Sequence, residues 1–587
     1  MKLKLFGILV IFVLLASSIT VGNKNAVKTL ERNNGDKKDY INIKMENISF
    51  TRFKGEPILP VQSVTLSFPL GTIIKNVECT PWNCQRKSCL PPELIPVNGG
   101  VYSILKEGKT YESNEPYPSN WYAYRTAGGL ENGIHVTFLN IDIYPMRYIP
   151  EENMAMYVSN ATITISYEEK NLLSVPDEYD LLIISPLTYK VPLMELVKHK
   201  ESYGIKTKWV SLSQIYDGNY FPSEGRDSGE KIKYFIKNAI EQWGIEYVLL
   251  VGGTGRIPAR KVYTYEGSEN YFLSDLYYAD IYDSNGHFSS WDSNENGYYG
   301  EYNHSGNMDV MDLYPDVYVG RLPCRSVFEA YIVVNKIITY EKMEKGSWFN
   351  KMIVVGGDSF NDSQWGTDYY EGEITVEKSL EYMEDFVPIK ILGSKGNLST
   401  DNIIKEFSNG AGFINFEGHG NYLSWATHPP HEYGTWIGIS AQDIPKLKNG
   451  KKLPVVVVGG CHTSELKKFY ECFGWRLVRA IGGGGIASTG FTSLSWGADD
   501  DVNGNGKPDI IEYASGYIDT LFFKKYGEEG INVLGRAFGD SITEYLNTSP
   551  VEWNNAFLDI WDCKTVSSWI LFGDPSLKIG GYGGYGT

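Results

Sequence analysis

From Tyr179 onward the chain repeats one pattern: a short apolar run with no polar face, then a stretch with helical spacing. "YDLLIIS", "IEYVLLVGG", "DVYVGRL", "KMIVVGGD", "PIKILGS", "GFINFEG", "LPVVVVGG" and "GIASTG" are the runs. "VPLMELVKHKESYG", "SVFEAYIVVNKIITYEKM" and "TDNIIKEFSNG" are helical stretches between them. A strand that is apolar on both faces must be covered on both, and parallel strands need long crossovers. The pattern therefore predicts an α/β fold, a mainly parallel sheet with helices on both sides. In such sheets ligands bind outside the carboxyl ends of the strands. Two of those ends carry reactive side chains, His419 after "GFINFEG" and Cys461 after "LPVVVVGG".

Residues 23–175 read differently. "VQSVTLSFPLGTIIKNVE" and "YVSNATITISYEE" alternate as half-buried strands do, which predicts a β-rich N-terminal domain. "NLLSVPDE", at 171–178, marks its end. A chain of 587 residues exceeds one ordinary core, so more than one domain is expected anyway. At the start, Lys2 and Lys4 precede an apolar stretch from Leu5 to Leu15, followed by the small residues Ala16 and Ser18. Residues 1–22 read as a secretory signal peptide, with an uncleaved anchor as the alternative. No later segment has the ~20 apolar residues of a membrane span, so the expectation is an exported, extracellular protein. In an oxidising compartment cysteines pair, and seven of them leave at least one thiol over. The spacing of Cys79, Cys84 and Cys89 suggests a local loop staple. The net charge of −17 argues against a nucleic-acid partner, because phosphate binding needs clustered Lys and Arg.

Acyl transfer by a thiol needs a thiolate, a base beside it, and donors for the oxyanion. "HTSELKKFYECFGWRLVRA" after Cys461 reads as a helix capped by Thr463 or Ser464, whose N-terminus would favour the thiolate. Gly420 lets a substrate backbone approach and can offer its own N–H. The plainer alternative is a buried strand-end cysteine and a turn histidine.

"GFINFEGHGNYLSWATH" with "LPVVVVGGCHTSEL" resembles the histidine and cysteine blocks of the gingipain family, which groups with caspases and legumains. "KMIVVGGD", "GGGGIASTGFTSLSWG" and "SSWILFGDPSLKI" resemble further family blocks in the family's order. The resemblance implies a caspase-like catalytic domain, with a first subdomain over 176–347, a second over 348–580, and a Gly/Tyr tail at 581–587. It implies a cysteine endopeptidase made as a zymogen, with residues 23–175 as a pro-domain inhibiting its own cleft. Cys461 would be the nucleophile, His419 the general base and acid, and Gly420 and Cys461 the oxyanion donors. Asp358 stands where the family has an acid orienting the histidine, though gingipains carry a glutamate there. Trp496 would line the primary pocket. Arginine-specific gingipains hold a pocket aspartate where this chain has Gly372, flanked by Glu371 and Glu373, so a preference for a basic residue before the cut bond would rest on those two. Self-cleavage at Lys170, before Asn171, would then release the pro-domain. Some relatives pass the acyl group to an amine, so peptidyl transfer is the alternative from the same thioester.

"DVNGNGKPDIIE" places Asp501, Asn503, Asn505, Asp509 and Glu512 at positions 1, 3, 5, 9 and 12 of a calcium loop, with Gly506 at the sharp turn. "DSNENGYYGE" offers Asp292, Asn294, Asn296 and Glu301 in the same opening rhythm. Structural Ca2+ is the cofactor expected. A zinc hydrolase using His428, His431 and His462 is the competing enzyme class, but "HPPH" sets its histidines in a Pro-rich turn rather than on one helical face. A non-catalytic calcium-binding surface protein is the third reading.

Overall fold

The computed structural model describes residues 27–32, 37–44, 49–51, 56–89, 108–170, 176–361, 369–467, 470–497, 509–549, 551 and 560–583. The signal peptide, Asn171 and the loop positions Asp501, Asn503 and Asn505 lie outside the described residues.

The N-terminal region is built from antiparallel sheets. One orders the strands Val27–Arg32, Lys37–Lys44, Asn160–Glu168 and Ile73–Trp82, and another orders Ser49–Phe50, Pro60–Pro69, Ile134–Ile143 and Tyr122–Glu131. The period of two seen in "NATITISYE" puts Ala161, Ile163, Ile165 and Tyr167 on one face. That face shares a core with Phe68, Leu139, Ile141 and Ile143 of the second sheet. The region docks on the segment 312–315 through Gly128 N–H to Asp312 Oδ2 (2.7 Å), Leu130 N–H to the Pro315 carbonyl (2.9 Å) and Asn140 Nδ2 to the Tyr314 hydroxyl (2.8 Å).

Ten strands form the sheet of the larger unit. From edge to edge they are Thr207–Ser211, Leu181–Ser185, Tyr247–Val251, Tyr318–Leu322, Trp569–Phe572, Ala487–Phe491, Val455–Gly459, Phe413–Glu417, Lys351–Gly356 and Val387–Leu392. Every neighbouring pair is parallel except Ala487–Phe491 with Trp569–Phe572. The expected α/β architecture is therefore present, and the two predicted subdomains share one continuous sheet. The last strand joins them, running parallel to Tyr318–Leu322 and antiparallel to Ala487–Phe491. Helices Val327–Lys342 and Thr400–Asn409 start where Ser326 and Ser399 side chains accept the Glu329 and Asn402 N–H groups. Among the described residues no helix is long and apolar enough to cross a membrane.

Three expectations change. The segment after Cys461 is not a helix until Phe473–Arg479. Its backbone is drawn onto neighbouring chain instead: His462 N–H donates to the Ser493 carbonyl (2.8 Å) and Ser464 N–H to the Phe491 carbonyl (3.0 Å). Cys79, Cys84 and Cys89 carry no disulfide, so the staple among them is absent. Cys79 packs on the core between the two sheets and Cys89 on a separate cluster with Leu59 and Tyr148, so they point into different cores. The predicted tail at 581–587 begins as packed structure: Tyr582 stacks on Tyr203 with ring centroids 3.9 Å apart, and its N–H donates to the Glu341 carbonyl (2.7 Å).

Candidate active site

His419 and Cys461 meet because of sheet register. Glu417 pairs with Gly459 across two adjacent parallel strands, and each reactive residue lies two positions further on. Neighbouring strands run about 4.8 Å apart, so matching overshoots put the two residues on adjacent strand ends at the same rim of the sheet. The glycines make the approach tight. A Cβ on Gly460 would sit 2.9 Å from Gly420 N, and one on Gly420 would sit 2.7 Å from the Cys461 carbonyl oxygen and closer still to Thr463 Cγ2.

The Cys461 sulfur is half-buried beside Ser495, 3.4 Å from its backbone nitrogen and 3.4 Å from its carbonyl oxygen. Trp496 comes next in the chain and packs on Trp561, ring centroids 5.8 Å apart. Its backbone follows Ser495, on the strand side of Cys461 opposite His419. Glu269, from the first half of the sheet, ties this region together. Its carboxylate accepts Leu494 N–H (2.9 Å) and Lys564 Nζ (2.6 Å), and pairs with His462 Nε2 (3.2 Å).

His419 Nε2 bonds the Ser359 carbonyl at 2.7 Å, which leaves Nδ1 as the ring nitrogen for proton transfer. Burial, and then the neighbouring His428, push its pKa below the ordinary 6.5, against the pull of that carbonyl. The ring is thus neutral and able to accept a proton near pH 7. It lies among aromatic edges, 5.7 Å from Phe360 and 5.2 Å from Trp436 between centroids.

Asp358 does not take the predicted place on the histidine ring. Its Oδ2 accepts His431 N–H (2.8 Å) and the Tyr433 hydroxyl (2.9 Å), and its own N–H donates to the His428 carbonyl (3.0 Å). It fixes the hairpin that covers His419, while the next residue's carbonyl does the orienting. Glu371 and Glu373 are not pocket acids either. Glu371 is buried and accepts Ser359 N–H (3.0 Å) and Phe360 N–H (3.2 Å), so it holds the segment that holds His419. Glu373 is committed to Ser394, whose N–H it accepts at 2.7 Å. A carboxylate buried at a helix start is drawn to free N–H groups, and these two find them in the chain.

Sequence reading also missed Glu417 and Asp519, a buried carboxyl pair under the rim. Burial pushes both pKa values far up, and for Glu417 the repulsion from Asp519 adds to it. A Cβ on Gly459 would overlap Glu417 Oε2, which explains the first glycine of "GGC".

The candidate loop at 292–301 folds as a hydrogen-bonded turn, and among the described residues no three His, Cys, Asp or Glu side chains there or elsewhere converge on a metal position. Asn294 and Asn296 side-chain amides both reach Glu301 Oε2 (2.9 and 2.6 Å), and Asp292 Oδ1 accepts Asn296 N–H (3.0 Å). Arg226 lies on Asp292 Oδ2 at 2.6 Å. Asp509 and Glu512 fall in and beside a short 3-10 turn, Asp509–Ile511. The zinc alternative finds no support: among the described residues no three His, Cys, Asp or Glu side chains converge on a metal position. His428 bonds the Thr435 carbonyl and His462 pairs with Glu269.

Comparison with known proteins shows the family. The sequence profile of Peptidase family C25 matches residues 174–580. Gingipain R2 of Porphyromonas gingivalis is 22% identical over 460 residues, 73% of this chain and 51% of that protein. Lys-gingipain HG66 of the same organism is 22% identical over 415 residues, 63% of this chain and 21% of the relative. The chain spans about half the length, or less, of these curated relatives. Among solved structures, the complex of P. gingivalis RgpB pro- and mature domains superposes with a TM-score of 0.49 at 20% identity, over 68% of this chain and 79% of that one. With a profile covering most of its length and the histidine and cysteine blocks meeting at one rim, the chain belongs to peptidase family C25, the gingipain-like cysteine peptidases.

Proposed function

We propose that the chain is a secreted cysteine endopeptidase made as a zymogen. The observation that supports the reading is the strand register, which puts the ends carrying His419 and Cys461 next to each other, with the Ser359 carbonyl on the base. His419 Nδ1 takes the Cys461 proton and the sulfur attacks the peptide carbonyl carbon. Gly420 and Cys461 N–H groups receive the oxyanion. Collapse breaks the C–N bond, the amine leaves with the proton from His419, and a thioester remains. Water, deprotonated by His419, attacks that thioester and restores the thiol. The N-terminal sheets, docked on the 282–315 region, serve as the inhibitory pro-domain. A preference for basic residues is not part of this reading, because Glu371 and Glu373 already serve chain donors. The test is digestion of a mixed peptide library by the activated chain, with Cys461→Ala as control. Mass spectrometry should find cuts that disappear in the variant; equal cutting by both proteins refutes the proposal. Adding a primary amine separates hydrolysis from peptidyl transfer, since amide products appear only if the thioester passes to the amine.

The acid limb of the activity profile is set by His419. Its pKa is lowered, so the neutral base persists below the ordinary histidine range. The midpoint of the acid limb of kcat/KM is expected below 6.5. A midpoint above 6.5 contradicts the buried base.

We also propose that Ca2+ binds the 292–301 loop, displacing Arg226 from Asp292, and the 501–512 loop. A cation bound only by the folded state raises its stability by mass action. Removing calcium with a chelator should lower the melting temperature by several degrees, and Asp292→Ala should shrink that difference. A melting temperature indifferent to calcium refutes both sites.

A further inference from the structure

Trp436 is the largest exposed apolar side chain touching the catalytic rim. It is 58% exposed, yet it is held firmly. Its ring lies 3.9 Å from that of His428, between centroids, and meets the His419 ring edge-on at 5.2 Å and 78°. The backbone beneath is fixed too. His428 Nδ1 bonds the Thr435 carbonyl at 2.8 Å, and Ile437 pairs with Thr427 in the hairpin that begins at His419. A rigid indole with its ring in water is a poor use of apolar surface unless something covers it in the working state.

The order of strands says which part of a substrate would cover it. Ser495 comes after the strand on one side of Cys461 and flanks the sulfur. His419 and its hairpin lie on the other side, toward Lys351–Gly356. A peptide bound with its carbonyl carbon at the sulfur must present its leaving nitrogen to His419, since that ring gives the nitrogen its proton. The residue beginning with that nitrogen therefore lies against whatever borders His419, and among the described residues the large exposed apolar side chain there is Trp436.

We propose that Trp436 forms the subsite for the residue immediately after the cut bond, and that this subsite takes an aromatic or large aliphatic side chain. The inference rests on the peptidase reading above and adds the substrate class on the leaving side. Aromatic contact of this kind favours such peptides over glycine by roughly three- to tenfold in kcat/KM. The preference appears in kcat/KM because the contact must be made as the leaving nitrogen reaches the base.

The experiment uses the full chain taken through activation, with internally quenched peptides randomised before the cut bond and carrying Phe, Leu, Gly or Asp after it. Wild type is expected to show Phe and Leu ahead of Gly by that factor. Trp436→Ala should bring the Phe-to-Gly ratio to within about twofold of one, and Trp436→Phe should restore most of it. A variant that merely disturbs His419 lowers all four peptides together and leaves the ratio intact; that outcome overturns the subsite. Cleavage by wild type with no Phe or Leu preference overturns it as well. If no peptide is cut in a Cys461-dependent way, the peptidase reading fails and this inference with it.

Discussion

Replacing Cys461 by alanine is expected to lower kcat/KM for peptide hydrolysis by roughly 10⁴- to 10⁶-fold, about 5–8 kcal/mol of lost transition-state stabilisation. Adding His419→Ala to that variant should cost less than about tenfold more. In the proposed mechanism the two side chains act on one proton and one carbon, so losing either removes the same covalent route, and their effects should not add. What should remain is binding and the proposed oxyanion stabilisation from the Gly420 N–H and the residue-461 N–H, which an alanine at 461 retains. The measurement is kcat/KM for wild type, both single variants and the double, at one pH. A double variant worse than Cys461→Ala by the full His419→Ala factor would show two independent contributions and refute the unit. Thiol labelling gives a second check. Cys324, Cys472 and Cys563 are buried, and burial pushes the thiol of Cys472 to about 12 and those of Cys79 and Cys89 to about 11. Iodoacetamide should therefore react at Cys461, with exposed Cys84 as the competing thiol that Cys84→Ser removes.

The sheet was legible because its central strands are apolar on both faces, and a short strand of that kind is stable only when layers cover it above and below. Thr207–Ser211, an edge strand with Lys208 and Trp209 exposed in part, lacks the pattern and was not read. His419 and Cys461 were legible for the same reason as the sheet, since strand ends are where such folds bind ligands. Their meeting depends on register, and the spacing from Glu417 to Gly459 equals that from His419 to Cys461. The rest of the site depends on backbone atoms that no sequence motif marks. The Ser359 carbonyl on His419 and the Glu371 carboxylate on the Ser359 and Phe360 N–H groups are examples. A carboxylate in the right segment suggests an orienting acid or a pocket acid, but only geometry shows that Glu371 and Asp358 are spent on the chain. The helix expected after Cys461 failed on competition. Helical spacing was present, but the end of the strand at Ala487–Phe491 offered its carbonyl groups first.

Lys200→Met is expected to destabilise the fold by about 3–5 kcal/mol, the cost of leaving buried charges without their counter-ion. Lys200 is wholly buried in the helix Lys190–Ser202. Its ammonium lies 2.8 Å from Glu341 of the helix Val327–Lys342 and 2.8 Å from Asp574 of "GDPSL". Glu341 also takes His199 Nε2 (2.8 Å) and Lys578 N–H (3.0 Å). One ammonium thus fastens the turn that ends the last strand to two helices of the other half of the sheet. Methionine is close to lysine in length, so the loss reads charge rather than packing. Burial alone would lower the Lys200 pKa, but Asp574 and Glu341 outweigh it and raise the value. Burial alone would raise the Glu341 pKa, but Lys200 and His199 bring it down. A raised lysine stabilises the fold fully below its ordinary 10.5, and a lowered glutamate does so above its ordinary 4.5. The triad therefore contributes in full between those limits. Its contribution fades as pH falls through the lowered Glu341 value or rises through the raised Lys200 value. Urea unfolding of wild type and Lys200→Met at about pH 7 measures the loss, and the same pair at about pH 3 should differ less. In the double variant Lys200→Met with Glu341→Gln the cost should fall below the sum of the two single costs, because the second change removes a charge the first stranded. A Lys200→Met protein as stable as wild type would show that the ammonium does not hold the two halves together.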